Sequence, residues 1–409
     1  MSAQQQGRRG GGTRLVIIDG LRISAALMVA VYHYTSHETA SRMIWGVPRD
    51  QAFPGFSDVF KYGWLGVELF FMISGFVICM SSWGRSPAQF TRSRIVRLFP
   101  AYWPAVLITA LVVTIWPWVR GRPDIDDVLV NLTMLNVPAG VGYIDPVYWT
   151  LWAETRFYLL FALVLLFRGL TLTRTIAFGY GWLLCALLTV GAKLPLLDAI
   201  FQPMYAPYFV AGIAFYLIHR FGPDIRLWGL VGLSYALAAH SVTRLSELRH
   251  LNPATGVVVV TGYFLTLGLI ALGYASWIRW RWLTTAGLLT YPFYLLHEYI
   301  GWTIIKGAHG VAPRYVVALA TLALMLLAAW VLHHIAEKPI ASWLKKKLEA
   351  AAGRTEPAVT RMDPALDRKT EPGAGTPVPA VEPWNAPTTE IPGSRPGDGL
   401  FRQSQPTRQ

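Results

Sequence analysis

The fold of this chain is decided by residues 14–37, RLVIIDGLRISAALMVAVYHYTSH. The stretch is long and apolar enough to cross a bilayer once, which takes roughly 20 mostly apolar residues. It nevertheless contains Asp19, Arg22 and His33. Because a charged side chain at mid-membrane costs roughly 2.5–3.5 kcal/mol, these groups are expected to face protein or a water-filled cavity.

Arg22 and His33 are eleven residues apart, so they share one helix face with about 16 Å between them along the axis. A lone intramembrane histidine is often only a hydrogen-bonded strut between helices. The cation on the same face favours a functional His33, so the first helix predicts a membrane-embedded site.

The composition is that of a protein with many membrane spans. Of its 409 residues, 54% are hydrophobic and only 14% are charged, whereas soluble domains have about 25% charged residues. The net charge of +13 fits basic cytoplasmic loops, and no basic module for nucleic acid is present. Cys79 and Cys185 lie in apolar runs, which indicates buried thiols rather than disulfides or a metal site.

Recurring apolar runs predict an all-α transmembrane bundle of about ten spans. Lys and Arg concentrate in the loops on the side of the N-terminus, so both termini are expected in the cytoplasm. The acidic loop 120–147 suits the outer face. The predicted spans lie near residues 15–35, 61–82, 100–119, 148–168, 174–192, 203–219, 225–243, 254–276, 283–304 and 314–336.

Three regions follow from composition. Residues 1–13 are polar and glycine-rich, which predicts a disordered lead, and residues 14–345 form the transmembrane domain. Residues 346–409 are rich in Pro, Thr, Glu, Arg and Gly, which predicts a disordered cytoplasmic tail.

Polar side chains of several predicted spans gather in the outer half of the bundle. They are His33, Glu68, Glu154, His297 and Glu298. A structural strut is an equally open interpretation of His297, and a position at the outer interface without a role is favoured for Glu298. Glu154 and Arg156 are two residues apart and do not share a helix face, so each needs a partner elsewhere.

A second cluster lies at the inner end, in FTRSRIVRLFPAYWP, residues 90–104. Arg94 and Arg97 are three residues apart and face together in a helix. Arginine suits bidentate phosphate contacts, so the pair could anchor an anionic cytosolic ligand. Ordinary positive-inside charge is an equally open interpretation.

Five stretches together resemble the acyltransferase-3 family, integral-membrane O-acyltransferases that modify sugars of surface polysaccharides, lipids and some antibiotics. The resemblance covers residues from about 14 to 340 in order and spacing. The stretches are IDGLRISAALMVAVYH, GWLGVELFFMISGFVI, FTRSRIVRLFPAYW, YWTLWAETRFYLL and LTYPFYLLH.

The resemblance implies roles for particular residues. The family's Arg-ten-residues-His motif falls on Arg22 and His33, with His33 as the catalytic group. Its Arg-x-x-Arg motif, linked to the use of acyl-coenzyme A, falls on Arg94 and Arg97. Its tryptophan-to-glutamate motif falls on Trp149 and Glu154.

The chain departs from the family pattern at two places. Glu68 stands where the family usually has Asp, which keeps the charge. Thr155 and Arg156 replace the usual Glu-Gln, which adds a cation and leaves the acceptor open.

The resulting hypothesis is a multi-pass enzyme of a bacterial-type plasma membrane that transfers an acyl group, by default acetyl, from acyl-coenzyme A to a sugar hydroxyl. His33 would be the general base, oriented by Glu68 or Glu154, and no bound cofactor or metal is expected. Arg22, Arg94 and Arg97 would hold the donor. The expected acceptor or pocket residues are Asp19, Trp149, Arg156, Tyr158 and His297.

The alternative is a transporter, since intramembrane acids and histidines also form proton relays and substrate paths. The sequence has no visible inverted repeat and no matched pair of broken helices, which favours the enzyme.

Overall fold

In the computed structural model, residues 15–166, 169–190 and 194–355 are described. Within those ranges 79% of the residues are helical and no strand occurs. The α-helices are α1 (Val16–Val31), α2 (Glu38–Trp45), α3 (Arg49–Ala52), α4 (Phe56–Phe60), α5 (Gly66–Ser82), α6 (Pro87–Ile115), α7 (Ile125–Leu132), α8 (Trp149–Leu166), α9 (Leu172–Thr189), α10 (Pro195–Phe201), α11 (Ala206–Phe221), α12 (Ile225–Leu248), α13 (Pro253–Ala271), α14 (Arg281–Leu296), α15 (Tyr299–Gly307), α16 (Arg314–Leu332) and α17 (Lys338–Thr355).

Four shorter elements join them. Two are π-helical turns, Tyr32–Ser36 after α1 and His333–Glu337 after α16, and two are 3₁₀ turns, Gly63–Leu65 and Pro146–Tyr148. Helix α17 continues past the predicted domain boundary at residue 345 as far as Thr355. The predicted disordered lead, 1–13, and residues 356–409 of the predicted tail lie outside the described residues.

Seven helical segments are long and apolar enough to cross a membrane, which makes this a multi-pass membrane protein. Each of the ten predicted spans overlaps at least one helix of the described residues. The seven segments are Val16–Ser36, Phe56–Ser82, Pro87–Ile115, Leu172–Thr189, Pro195–Phe221, Pro253–Ala271 and Arg314–Ala352.

The other three predicted spans, 148–168, 225–243 and 283–304, are not among these seven segments. The second corresponds to α12, which carries several charged residues. The third is interrupted between α14 and α15. Ten spans and cytoplasmic termini therefore remain predictions.

Helix α11 is the centre of the bundle, because its residues from Ala206 to Ile218 are all buried. It packs backbone to backbone against α5. A Cβ atom added to Gly212 would overlap the backbone oxygen of Met72, so only glycine allows this approach. The close packing fixes α5, which carries two of the polar side chains described below.

Hydrogen bonds join the end of α14 to the segment after α1 and to the segment before α8. The hydroxyl of Tyr34, in the π-helical turn after α1, donates a hydrogen bond to the carbonyl of His297 at 2.7 Å. The hydroxyl of Tyr148, just before α8, donates to the carbonyl of Leu295 at 3.3 Å. The ends of α1 and α14 and the start of α8 therefore lie together, and π-helical turns of this kind are frequent at functional sites.

Candidate active site

Two histidines from opposite ends of the sequence form the centre of the candidate site. His33 Nδ1 lies 3.1 Å from His297 Nε2, and the two imidazole planes differ by only 5°. His297 is fully buried, whereas 15% of the His33 side chain is exposed. His33 is therefore the member of the pair that a substrate can reach.

The hydrogen bonds of the pair fix which nitrogens carry protons when both rings are neutral. His297 Nδ1 lies 2.8 Å from the carbonyl oxygen of Tyr294, which can only accept, so His297 carries its proton on Nδ1. Its Nε2 then accepts a hydrogen bond from His33 Nδ1. As a result, the proton of His33 is on Nδ1, and its Nε2 has a free lone pair to act as a base.

Glu298 supplies the carboxyl group nearest to His33. Its Oε2 lies 3.8 Å from His33 Nδ1, and the residue is only 6% exposed. At that distance the two side chains form no good hydrogen bond, but an ionised carboxylate there would still stabilise a protonated imidazole. Sequence analysis favoured no role for Glu298, although a second ionisable residue next to His297 in an apolar stretch was a usable signal.

The backbone around the histidine pair is held by its neighbours. Trp302 Nε1 donates to the carbonyl of His33 at 3.1 Å. Asp145 Oδ2 accepts from the backbone N–H of Tyr299 at 3.0 Å, and burial raises the pKa of this carboxyl above its usual range. The break between α14 and α15 is thereby tied to both α1 and the loop before α8.

A cavity of about 60 Å³ lies next to the histidine pair, which is room for a few water molecules. Tyr294, whose carbonyl holds His297, forms part of its wall, and Glu154 Oε1 accepts from Ser74 Oγ at 2.7 Å inside it. The cavity is lined by Arg22, Val67, Phe70, Phe71, Ser74, Thr150, Leu151, Glu154, Thr290, Tyr291 and Tyr294. Arg22 thus lines the cavity directly, whereas the histidine pair is connected to it through Tyr294.

The hydroxyl-bearing residues of α14 in this cavity were not among the predicted site residues. Thr290 and Tyr294 are four residues apart, and Tyr291 lies between them. Their helical spacing on one face of an apolar segment was the signal that could have identified them.

Arg94 and Arg97 approach the cavity from the other side. The Arg97 guanidinium lies 5.5 Å from the ring centre of Tyr291, which lines the cavity. The Arg94 guanidinium lies 5.8 Å from the ring of Tyr158, whose hydroxyl contacts both Arg94 and Glu154. Polar side chains therefore run continuously from the arginine pair to the cavity.

Arg97 already has a charged partner. Its Nη1 lies 3.5 Å from Glu337 Oε1, and the other oxygen of Glu337 lies 2.7 Å from His333 Nδ1. The Arg97 side chain is still 31% exposed, so it can also reach an anion in solvent.

Glu68 and Glu154 lie apart from the predicted catalytic histidine. Glu68 of α5 is 3% exposed, and its Oε2 has no hydrogen-bond partner among the described residues. Glu154 points toward Ser74 and Tyr158. Among the described residues, the carboxyl group within 4 Å of His33 is that of Glu298, and the orienting role of Glu68 or Glu154 stays a prediction.

The remaining predicted pocket residues are distributed around these groups. Asp19 packs against Gly287 of α14. Trp149 packs against Tyr205, with 5.2 Å between ring centres, and Arg156 Nη1 donates to a carbonyl of α10 at 2.7 Å. In the described ranges no group of three or more His, Cys, Asp or Glu could hold a metal ion.

Comparisons with known proteins identify the relatives of the chain. A family model described as an acyltransferase domain matches residues 15–334. Acyltransferase MdmB from Streptomyces mycarofaciens is 26% identical over 392 residues, which cover 87% of this chain and 96% of that protein. No solved structure matches the chain.

Proposed function

The chain belongs to the acyltransferase family whose domain matches residues 15–334, and on that premise we propose that it is a membrane-embedded O-acyltransferase. It moves an acyl group, by default acetyl, from acyl-coenzyme A to a hydroxyl of a sugar-containing acceptor. The observation that carries this proposal is a series of contacts along α14. Arg97 lies against Tyr291 of the cavity wall, the carbonyl of Tyr294 in the same wall bonds His297, and His297 bonds His33. Family membership also favours the enzyme over the transporter interpretation.

The donor enters at the arginine pair. Arg94 and Arg97 bond the phosphates of acetyl-coenzyme A, and the thin pantetheine arm passes Arg22. The arm has to cover about 16 Å, the separation of Arg22 and His33 along a helix axis. The cavity lined by Arg22 and Tyr294 is the space through which it passes, widened from its present 60 Å³ by rotation of the lining side chains.

The transfer step uses His33 as a general base. His33 Nε2 takes the proton of the acceptor hydroxyl as that oxygen attacks the thioester carbonyl, because a hydroxyl is a poor nucleophile unaided. The tetrahedral intermediate then expels the thiolate, which takes the proton from the imidazolium and leaves as free coenzyme A. His297 Nε2 holds the other His33 nitrogen throughout, and the charge of Glu298 stabilises the transient imidazolium.

The acceptor is a cell-envelope glycan, a glycolipid or a glycosylated metabolite. Support for a sugar-containing acceptor comes from the resemblance of the chain's motifs to sugar O-acyltransferases. The name of the relative from Streptomyces mycarofaciens supports acyl transfer but names no acceptor.

A transfer assay tests the proposed function. Membranes that contain the protein are incubated with acetyl-coenzyme A labelled in the acetyl group and with envelope glycolipids. Release of free coenzyme A together with label on the glycolipid is the expected result. Acceptor-dependent uptake of an intact solute without any release of coenzyme A would instead identify a transporter.

Removing the arginine pair is expected to weaken use of the donor. In Arg94→Ala/Arg97→Ala the KM for acetyl-coenzyme A should rise by about 100-fold, because two charge-assisted hydrogen bonds to phosphate are lost. The KM for the acceptor should stay unchanged, which initial-rate kinetics at varied donor and acceptor can measure. Arg92→Ala is the matched control, since it removes one charge from the same helix end. An unchanged KM for acetyl-coenzyme A in the double variant would remove the pair from its role.

A further inference from the structure

A second and larger cavity, of about 380 Å³, lies between α8, the α10–α11 junction and α12. Nothing in the proposed donor path or transfer step uses it. Met204 and Leu248 are among its apolar residues, and its polar residues are Arg156, Asp198, Gln202, Tyr205, His240, Ser241 and Arg244. It therefore offers both polar and apolar contacts to a ligand.

Gln202 is the most informative residue of this cavity. Its side chain is 2% exposed, yet neither the oxygen nor the nitrogen of its amide has a partner among the described residues. Leaving such groups unpaired is costly, and Gln202 also adopts the left-handed backbone conformation at φ 49°. An amide that offers one acceptor and two donors is well suited to the hydroxyls of a sugar.

Arg156 adds a second unsatisfied donor. Its Nη1 is bonded to the carbonyl of Ala199, but its Nε is buried and has no partner in the described part of the chain. Arg244, which is exposed, faces the same cavity from α12, and Asp198 contributes one acidic group. The polar part of the cavity thus has more donors than acceptors, which matches a ligand rich in oxygen.

The cavity adjoins the candidate active site. Its residue Tyr205 packs against Phe71 and Trp149, in each case with 5.2 Å between ring centres. Phe71 also lines the 60 Å³ cavity beside the histidine pair. The rings of Tyr205 and Phe71, which contact each other, therefore lie between the two cavities.

We propose that the 380 Å³ cavity binds the acceptor, and that the acceptor is an amphiphilic glycoside. Its sugar hydroxyls bond Gln202 and Arg156, and its apolar part lies against Met204 and Leu248. This inference rests on the proposed function, because it assigns a site to the acceptor of that same reaction. It narrows the acceptor to glycosides with an apolar group, whether carried on a membrane lipid or dissolved in water.

The test uses the full chain in nanodiscs with acetyl-coenzyme A and defined glycosides. Octyl β-glucoside, kept below its micelle concentration, and methyl β-glucoside are compared as dissolved acceptors, and monoglucosyl diacylglycerol is incorporated as a lipid acceptor. The octyl or the lipid glucoside should accept acetyl at far lower concentration than the methyl glucoside. Preference for the octyl glucoside would indicate a natural acceptor dissolved in water. Preference for monoglucosyl diacylglycerol would indicate an acceptor carried on a membrane lipid.

Variants of the cavity wall test the residues. Gln202→Leu should raise the KM for the better glycoside about tenfold by removing its hydrogen bonds, while the KM for acetyl-coenzyme A stays the same. Arg244→Gln, an exposed position, should raise the same acceptor KM. The control is Ser234→Ala, which also alters a buried hydroxyl without a partner among the described residues, on α12 but outside the cavity.

The outcomes separate this inference from the proposed function. Absence of acetyl-coenzyme A binding by the unmodified protein would overturn the function itself. Normal donor binding with equal use of methyl and octyl glucoside, or with no glycoside used, would overturn the amphiphilic acceptor. An unchanged acceptor KM in Gln202→Leu, or in Arg244→Gln alone if the first variant does not fold, would overturn the assignment of the cavity.

Discussion

His33→Ala is expected to lower the rate of acetyl transfer by about 10³-fold, within the usual range for loss of a general base. The variant should still insert and bind acetyl-coenzyme A, because His33 is 15% exposed and its main partner, His297, keeps its own bond to Tyr294. Turnover of labelled acetyl-coenzyme A in nanodiscs measures the loss. Binding of unlabelled donor, followed by thermal stabilisation, measures what is retained.

A neighbouring histidine provides the control for His33. The ring of His37 lies 5.9 Å from that of His33, but its Nδ1 accepts from the backbone N–H of Ala40 and caps α2. His37→Ala should cost some stability through loss of this cap and leave kcat near that of the unmodified protein. If His33→Ala retained a substantial fraction of the activity, the general-base role would have to be abandoned.

His297→Leu is expected to lower kcat by about 10²-fold or more, a loss comparable in kind to that caused by the wrong tautomer in a serine protease triad. The leucine cannot accept the His33 Nδ1 proton, so that proton is no longer directed to Nδ1. In a fraction of the molecules the proton is then on His33 Nε2, which can no longer act as a base. The KM values for acetyl-coenzyme A and for the acceptor should change little, because His297 positions the base and does not touch either substrate.

A conservative variant separates positioning from packing at residue 297. The amide oxygen of His297→Gln can still accept from His33 Nδ1, so this variant should recover much of the lost kcat. Both variants should show similar thermal unfolding. Equal activity of the glutamine and leucine variants would show that residue 297 acts only by filling space.

The sequence was sufficient to predict the class of fold and the family. The apolar runs identified helices at all ten predicted positions, since hydropathy over some 20 residues is a local property. The spacing of Arg22 and His33 predicted a polar face on the first helix; in the structure Arg22 lines the smaller cavity and His33 bonds His297. Charges inside an apolar segment were the informative signal there.

Contacts between residues far apart in the sequence could not be predicted from local sequence patterns. His33 and His297 are 264 residues apart, so their direct hydrogen bond depends on how α1 and α14 pack. The same packing decides that Glu298, and neither Glu68 nor Glu154, lies next to His33. Gln202 gave no sequence signal, because its importance comes from an unpaired amide that only the folded chain reveals.

The break between α14 and α15 shows how a functional site departs from a local rule. Hydropathy predicts one continuous span over 283–304, but the helix ends at Leu296, next to His297 and Glu298. Two backbone groups freed there are paired, because the carbonyl of His297 accepts from Tyr34 and the N–H of Tyr299 donates to Asp145. An irregular backbone at such depth is stable where protein surrounds it.

The central claim is that a thioester donor reaches His33 through the cavity between Arg22 and Tyr294. A solved structure with a non-transferable thioether analogue of acetyl-coenzyme A tests it most directly. The claim predicts phosphates at Arg94 and Arg97, the pantetheine arm between Ser74 and Tyr294, and the carbonyl carbon within about 4 Å of the space beside His33 Nε2. An analogue bound with its acyl group remote from residue 33, and that cavity still closed, would contradict it.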